Sequence, residues 1–195
     1  MTTDEFKEQA LLKNKYYKKG NFEILGEYIN MKTKILCKDK YGLHLKKAEG
    51  IVKGENISAK TAIDYKIYFY NFLSEKSSYF NSIKDNLIDV LNEKGIFFCI
   101  IETNYGVCKI STQSILRGAK TSIKSAIDKT EYFINQIKEL DIGITDYSTI
   151  NYVDAKEKIV YGTCYGYCQM SPNSLIYCKR ADTIESAVNK TEYIK

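Results

Sequence analysis

The 195-residue chain has no tryptophan, one proline (Pro172), one histidine (His44) and two arginines (Arg117 and Arg180). Each scarcity removes a class of function. The single histidine is the one candidate base for a cysteine nucleophile. It stands in the position that Cys108 and Cys168 fill in the other two copies of a repeated segment, so a structural role is its better account. The cysteines number six, but no two are spaced as CxxC; the densest group is Cys164, Cys168 and Cys178. A structural zinc wants four soft ligands, commonly supplied as such pairs, so no cofactor is expected. The glycines are isolated rather than gathered into a phosphate-cradling loop, and the carboxylates recur only where helices start. No nucleophile, base and orienting group stand together. The chain therefore reads as a non-enzyme.

No run of about 18 apolar residues exists, which excludes a helical membrane span; the longest, Ile96 to Ile101, suits a buried strand. The start, MTTDEFKEQALLK, is acidic and helical in pattern and lacks the order of a secretory signal. Cytoplasmic residence and reduced thiols are the expectation.

What is present is repetition. Residues 41–69, YGLHLKKAEGIVKGENISAKTAIDYKIYF, align without a gap on 105–133, YGVCKISTQSILRGAKTSIKSAIDKTEYF. Tyr41, Gly42, Gly54, Ala62, Asp64, Tyr68 and Phe69 match Tyr105, Gly106, Gly118, Ala126, Asp128, Tyr132 and Phe133. A third copy starts at Tyr165, with one residue inserted near Lys179–Asp182. Upstream, 27–35 matches 151–159, while the second copy is weak there.

Each copy predicts a β-hairpin: Lys34–Lys38 with Gly42–Lys47, Ile96–Ile101 with Val107–Ile110, and Ile159–Thr163 with Tyr167–Met170. A short mixed segment then ends at Gly54, Gly118 or Cys178, the glycines suggesting positive φ. A short helix follows, capped by Ser58, Ser122 or Thr183. A further helix starts at Asp128-Lys-Thr-Glu131 and at Asn189-Lys-Thr-Glu192, and TTDEFKEQALL resembles the same start. The repeating unit is then helix, extended linker, hairpin, short helix, with the final KTEYIK as the first turn of a fourth unit. One conflict stands out. Leu43 and Leu45 compete with His44 and Lys46 for the inner face, whereas Cys108/Ile110 and Cys168/Met170 fill the latter positions in the other copies. Either the first copy packs differently or the hairpin boundaries are shifted by one.

The fold expected is α+β, three tandem β-hairpin-plus-helix repeats (1–66, 67–130 and 131–195) packed into one compact body, since units this small bury too little alone.

Charge is uneven. Residues 1–60 hold 13 Lys against 8 Asp and Glu, a balance of +5; residues 61–195 hold 16 of each sign. The first repeat's basic field suits nucleic acid or a nucleic-acid-bearing partner, although a solvated lysine surface explains it equally well. Tyr41, Tyr105 and Tyr165 sit at the hairpin tips, and Lys34, Lys38, Lys40, Lys46, Lys47 and Lys53 surround the first. Aromatic rings beside cations suit unstacked bases and phosphate. Arg117 and Lys53 share a position from which phosphate is reachable. The competing reading of the tyrosines is a ring covering the hairpin with its hydroxyl in water. Tyrosine also serves protein interfaces.

The stretches YGVCKISTQSILRGAKTSIKSAIDKTEYFINQ (105–136) and DYSTINYVDAKEKIVYGTCYGYCQMSPNSL (146–175) resemble a phage-encoded repeat module found with homing-endonuclease-like and restriction-endonuclease-like proteins. In related units the hairpin carries a Cys…His-Gly pair and a later CxxC, a zinc arrangement. Here Tyr41, Tyr105 and Tyr165 precede the glycine and the CxxC is missing, so neither metal nor nuclease activity carries over. The resemblance implies a non-catalytic protein acting in the host cytoplasm on nucleic acid, RNA or DNA, or on a host nucleoprotein effector. Its alternative is an inhibitor of host defence, anti-CRISPR in kind, working by direct protein contact.

Overall fold

The computed structural model describes residues 1–178 and 180–193. Lys179, inside the expected insertion, and Ile194 and Lys195, the end of the expected fourth-unit turn, lie outside the described residues.

The first repeat begins with a reciprocal capping box. The Thr2 hydroxyl accepts from Glu5 N, and the Glu5 carboxylate accepts from Thr2 N, which satisfies two donors that a helix start leaves open. Helix α1 (Thr3–Lys13) follows, then α2 (Lys15–Lys18). Buried Asn14 separates them. Its Oδ1 accepts from Tyr16 N and Tyr17 N, and its Nδ2 donates to the Ile51 carbonyl at 2.7 Å. Strands β1 (Phe22–Ile24), β2 (Lys34–Asp39) and β3 (Gly42–Lys47) form an antiparallel sheet in that order. Alternation sends Phe22, Ile24, Ile35 and Cys37 inward against Phe6 and Ala10 of α1. Helix α3 (Ala48–Val52) completes this core with Ala48, Ile51 and Val52.

The second repeat has α4 (Tyr65–Lys76), α5 (Ser78–Ile83), a sheet of β4 (Leu87–Glu93), β5 (Ile96–Thr103) and β6 (Gly106–Ser111), and α6 (Thr112–Leu116). The third has α7 (Lys129–Lys138), a sheet of β7 (Ile144–Asp146), β8 (Ile159–Thr163) and β9 (Gly166–Met170), and α8 (Pro172–Tyr177); α9 (Lys190–Tyr193) follows. The fold is α+β, with the three expected hairpins in place. Helix α7 starts where expected, with Asp128 capping Glu131 N at 2.9 Å, and α4 starts at the aligned position, with Asp64 capping Ile67 N at 2.9 Å. Gly54 and Gly118 have φ of +83° and +85° as expected, while Cys178 exits α8 extended at φ −79°.

Three features depart from the sequence reading. The extended linker contributes a third strand, β1, β4 or β7, to each sheet. The segment after each hairpin is itself helical (α3, α6, α8). The helix expected after Ser58, Ser122 and Thr183 is a single turn, 3₁₀ over Ala59–Thr61 in the first copy. Each turn instead ends in a bridge: His44 to Ala62, Cys108 to Ala126, Cys168 to Ala187. That bridge covers part of the outer edge of β3, β6 or β9, an exposed edge being an aggregation hazard. The second copy is weak upstream because β4 and β5 join by a tight turn at Lys94 and Gly95, both with positive φ, the geometry of a type I′ hairpin.

Contacts divide the chain into two compact units. One comprises Met1–Ile100 and Ile110–Lys120, the other Ile101–Lys109 and Thr121–Lys195. The first holds the core around Phe6 and Ile51. The second holds a core of Phe133, Ile137, Ile142, Ile159 and Leu175, with Tyr161 donating from its buried hydroxyl to the Ala181 carbonyl at 2.9 Å. No helix among the described residues is long and apolar enough to cross a membrane.

Candidate nucleic-acid interface

The β2–β3 register decides what the first repeat shows to its surroundings. Cys37 faces His44 and Ile35 faces Lys46 on the inner side. The alternate pairs, Lys34 with Lys47, Leu36 with Leu45 and Lys38 with Leu43, therefore share the open side, because side chains alternate along a strand. Leu43 and Leu45 are 44% and 41% exposed, and Lys34, Lys38 and Lys47 are exposed. The conflict over the inner face is thus resolved without a slip. His44, Cys108 and Cys168 are all fully buried at the same position.

His44 tolerates burial because both ring nitrogens have partners. Nε2 lies 3.0 Å from Asp39 Oδ1 and Nδ1 lies 3.2 Å from Thr61 Oγ1. A carboxylate, an imidazole and a hydroxyl in a row invite comparison with a hydrolytic triad, but every group is engaged in structure. Asp39 Oδ1 also accepts from Tyr41 N and Gly42 N, closing the hairpin turn. The Thr61 hydroxyl donates to the Ser58 carbonyl at 2.8 Å and accepts from Ser58 N. The other repeats build the same turn from neutral groups. Thr103 accepts from Tyr105 N and donates to the Gly106 carbonyl; Thr163 does likewise with Tyr165 and Gly166.

The tip tyrosines are structural in large part. The Tyr41 ring meets Tyr68 and Phe72 edge-on, and its hydroxyl donates to Glu75 at 3.1 Å. Tyr105 meets Tyr132 edge-on and donates to Glu139 at 2.7 Å, which pushes its pKa up. Side-chain amides hold both tips from the following helix, Asn71 on the Tyr41 carbonyl and Asn135 on that of Tyr105. Tyr165 lies against Tyr193 and stays 47% exposed. The expected hydroxyl in water is thus a hydroxyl on a carboxylate at Tyr41 and Tyr105.

The cations separate into two sets. Lys40 donates to Glu75 at 2.5 Å and lies over the Tyr41 ring; Lys46 pairs with Glu55 at 2.6 Å on the inner side; Lys53 pairs with Glu49. Lys34, Lys38 and Lys47 have no salt bridge among the described residues. Arg117 and Lys53 do share a position, each the C-cap of a short helix, α6 and α3, and both are exposed. The residues that gather are therefore Lys34, Lys38 and Lys47, joined by Leu36, Leu43 and Leu45. The leucines were the ones hardest to foresee, since apolar alternation assigns them to the core.

The six cysteines are all free, with only Cys164 exposed. Burial pushes Cys37 up to about 11 and Cys99 up to about 12, the condition of an inert thiol. Among the described residues no group of three or more His, Cys, Asp or Glu is placed to hold a metal ion. A scan against protein-family models, a search of curated proteins and a search of solved structures each return no match.

Proposed function

We propose that the first repeat is a non-catalytic binder of nucleic acid, free or carried by a host nucleoprotein, acting through the open face of β2 and β3. The carrying observation is Lys34 directly opposite Lys47, with Lys38 on the same face and no salt bridge to any of them among the described residues. Like charges directly opposite each other destabilise a sheet. A polyanion supplies a counter-charge to this pair, while Lys38 has Glu23 across the β1–β2 ladder. The corresponding pairs are Phe98 with Ser111 and Lys158 with Ser171, so the basic face belongs to the first repeat alone. This reading carries the tip tyrosines as supports rather than as stacking platforms. Through the likeness to phage modules it places the protein's action in the host cytoplasm.

The test is a salt titration of fluorescence anisotropy with short RNA and DNA, single- and double-stranded. Affinity should fall steeply between about 50 and 200 mM salt, and K34A/K38A/K47A should reduce the log–log slope by about 2–3. A K156A/K158A control in the third repeat should leave the slope unchanged. No binding to any of the four probes at about 50 mM salt refutes the reading for free nucleic acid. The exposed Leu43 and Leu45 favour a second reading, direct contact with a defence effector of the host in the manner of an anti-CRISPR inhibitor. Retention of an effector stripped of its guide RNA, lost in L43D/L45D, separates the two.

A further inference from the structure

A cleft of about 480 Å³ opens beside the same face, within the first unit, between α2, the start of β1 and the β2–β3 turn. That volume lies in the range of small-ligand sites. Its walls include Tyr16, Asn21, Lys38, Lys40, Tyr41 and Asn56. Asn21 and Asn56 are exposed, and neither side-chain amide has a hydrogen-bond partner among the described residues. The remaining asparagine amides near this core behave differently: Asn14 is saturated by Tyr16, Tyr17 and Ile51, and Asn71 is used on Tyr41.

The charge inside the cleft is close to balanced. Glu23 faces Lys38 across the β1–β2 ladder. Lys40 is held by Glu75, and the Asp39 carboxylate is occupied by His44 and the turn amides. A bare phosphate would find little net attraction there. What the cleft offers is two amides, each both donor and acceptor, beside the Tyr16 ring. A flat heterocycle with a donor and an acceptor side by side on its edge matches that set, because one side-chain amide can donate to and accept from a single base edge. Lys34 lies four residues from Lys38 on the same strand, about 13 Å away at 3.3 Å per residue, within reach of a phosphate farther along. The other repeats lack the arrangement: Lys38 and Lys40 correspond to Glu102 and Asn104 and to Gly162 and Cys164.

From this geometry we infer that the cleft takes one unpaired nucleobase of a bound strand, read by Asn21 and Asn56, while Lys34 and Lys47 hold the neighbouring backbone. The inference rests on the strand-binding reading for its ligand class and makes single strands the preferred form.

The isotope-labelled full chain is titrated with AMP, GMP, CMP, UMP, dAMP and ribose 5-phosphate, each to about 10 mM, the millimolar range being expected of a single small contact set. The side-chain amide signals of Asn21 and Asn56 should move with at least one nucleotide and stay still with ribose 5-phosphate. N21A/N56A should weaken that binding at least about tenfold, or 1.4 kcal/mol. AMP against dAMP reports whether the sugar is read. No movement with any nucleotide overturns the inference, as does equal movement with ribose 5-phosphate. Nucleotide shifts without strand binding leave the cleft assignment standing and remove the strand-binding reading. Strand binding without nucleotide shifts does the reverse.

Discussion

At the scale of single residues, position 44 shows how a repeat tolerates chemical change. Cys108 and Cys168 fill the equivalent place with a thiol beside Thr103 and Thr163. The first repeat uses an imidazole beside a carboxylate, Asp39, at 3.0 Å. The two changes belong together. His44→Cys alone leaves the mostly buried Asp39 carboxylate with only its two turn amides, and Asp39→Thr alone takes the carboxylate from the buried ring. Each single substitution should cost about 2 kcal/mol, the usual penalty for stranding a buried polar group. D39T/H44C rebuilds the neutral arrangement of the other repeats and should cost clearly less than the sum, a coupling of about 1–2 kcal/mol. Urea unfolding of the four proteins reads this directly, and simple additivity would refute the paired account.

At the scale of elements, the hairpin tips depend on the helix that follows them. Tyr41 and Lys40 both bond Glu75 on α4, and Lys76 lies 2.7 Å from the same carboxylate. Those bonds, that of Lys40 foremost, hold the Glu75 carboxyl at about 2, below its usual 4.5. A lowered folded-state pKa stabilises fully above pH 4.5 and is lost as pH falls toward 2. Between those values E75Q should show a flatter urea-midpoint profile than the wild type. Because the carboxylate is exposed, added salt should shrink the difference; parallel profiles would show that the Glu75 carboxylate does not anchor the tip. Much of this level was legible in the sequence. Period-two alternation and the recurring Tyr-Gly located β2, β3, β5, β6, β8 and β9 within a residue or two, and Asp128 marked α7. Of the third strands, the seven-residue β4 was not legible because its burial, with only Leu87 and Val90 inward, does not alternate in twos. The other two, Phe22–Ile24 and Ile144–Asp146, are three residues long, too short for a period to register. Helices α3, α6 and α8 escaped for the same reason. In the candidate site, the free lysines could be named from charge, but their separation from Lys40, Lys46 and Lys53 depends on carboxylates distant in sequence. Asn21 and Asn56 carry no sequence signal at all; only the cleft gives them meaning.

At the scale of the molecule, three copies of one scaffold carry different surfaces, with the charge excess confined to residues 1–60. The repeats as read from sequence nevertheless overlap as physical objects. A boundary at 66/67 assigns Tyr41 and His44 to one side and Tyr68, Phe69, Leu73 and Glu75 to the other. Yet Tyr68 lies edge-on to both His44 and Tyr41, at centroid distances of 5.6 and 5.4 Å, and is itself buried. Removing α4 would therefore expose the hairpin tip and His44 by taking away the Tyr68 and Phe72 rings that cover them. Burial of such side chains is worth about 1.5–3 kcal/mol each, against a total stability of only about 5–15 kcal/mol for a whole domain. A fragment of residues 1–66 should consequently melt without a cooperative transition by circular dichroism, whereas the full chain should melt cooperatively. A sharp transition in that fragment would mean that the first hairpin and its helices α1 to α3 suffice, and that α4 is a neighbour of the first repeat rather than a part of it.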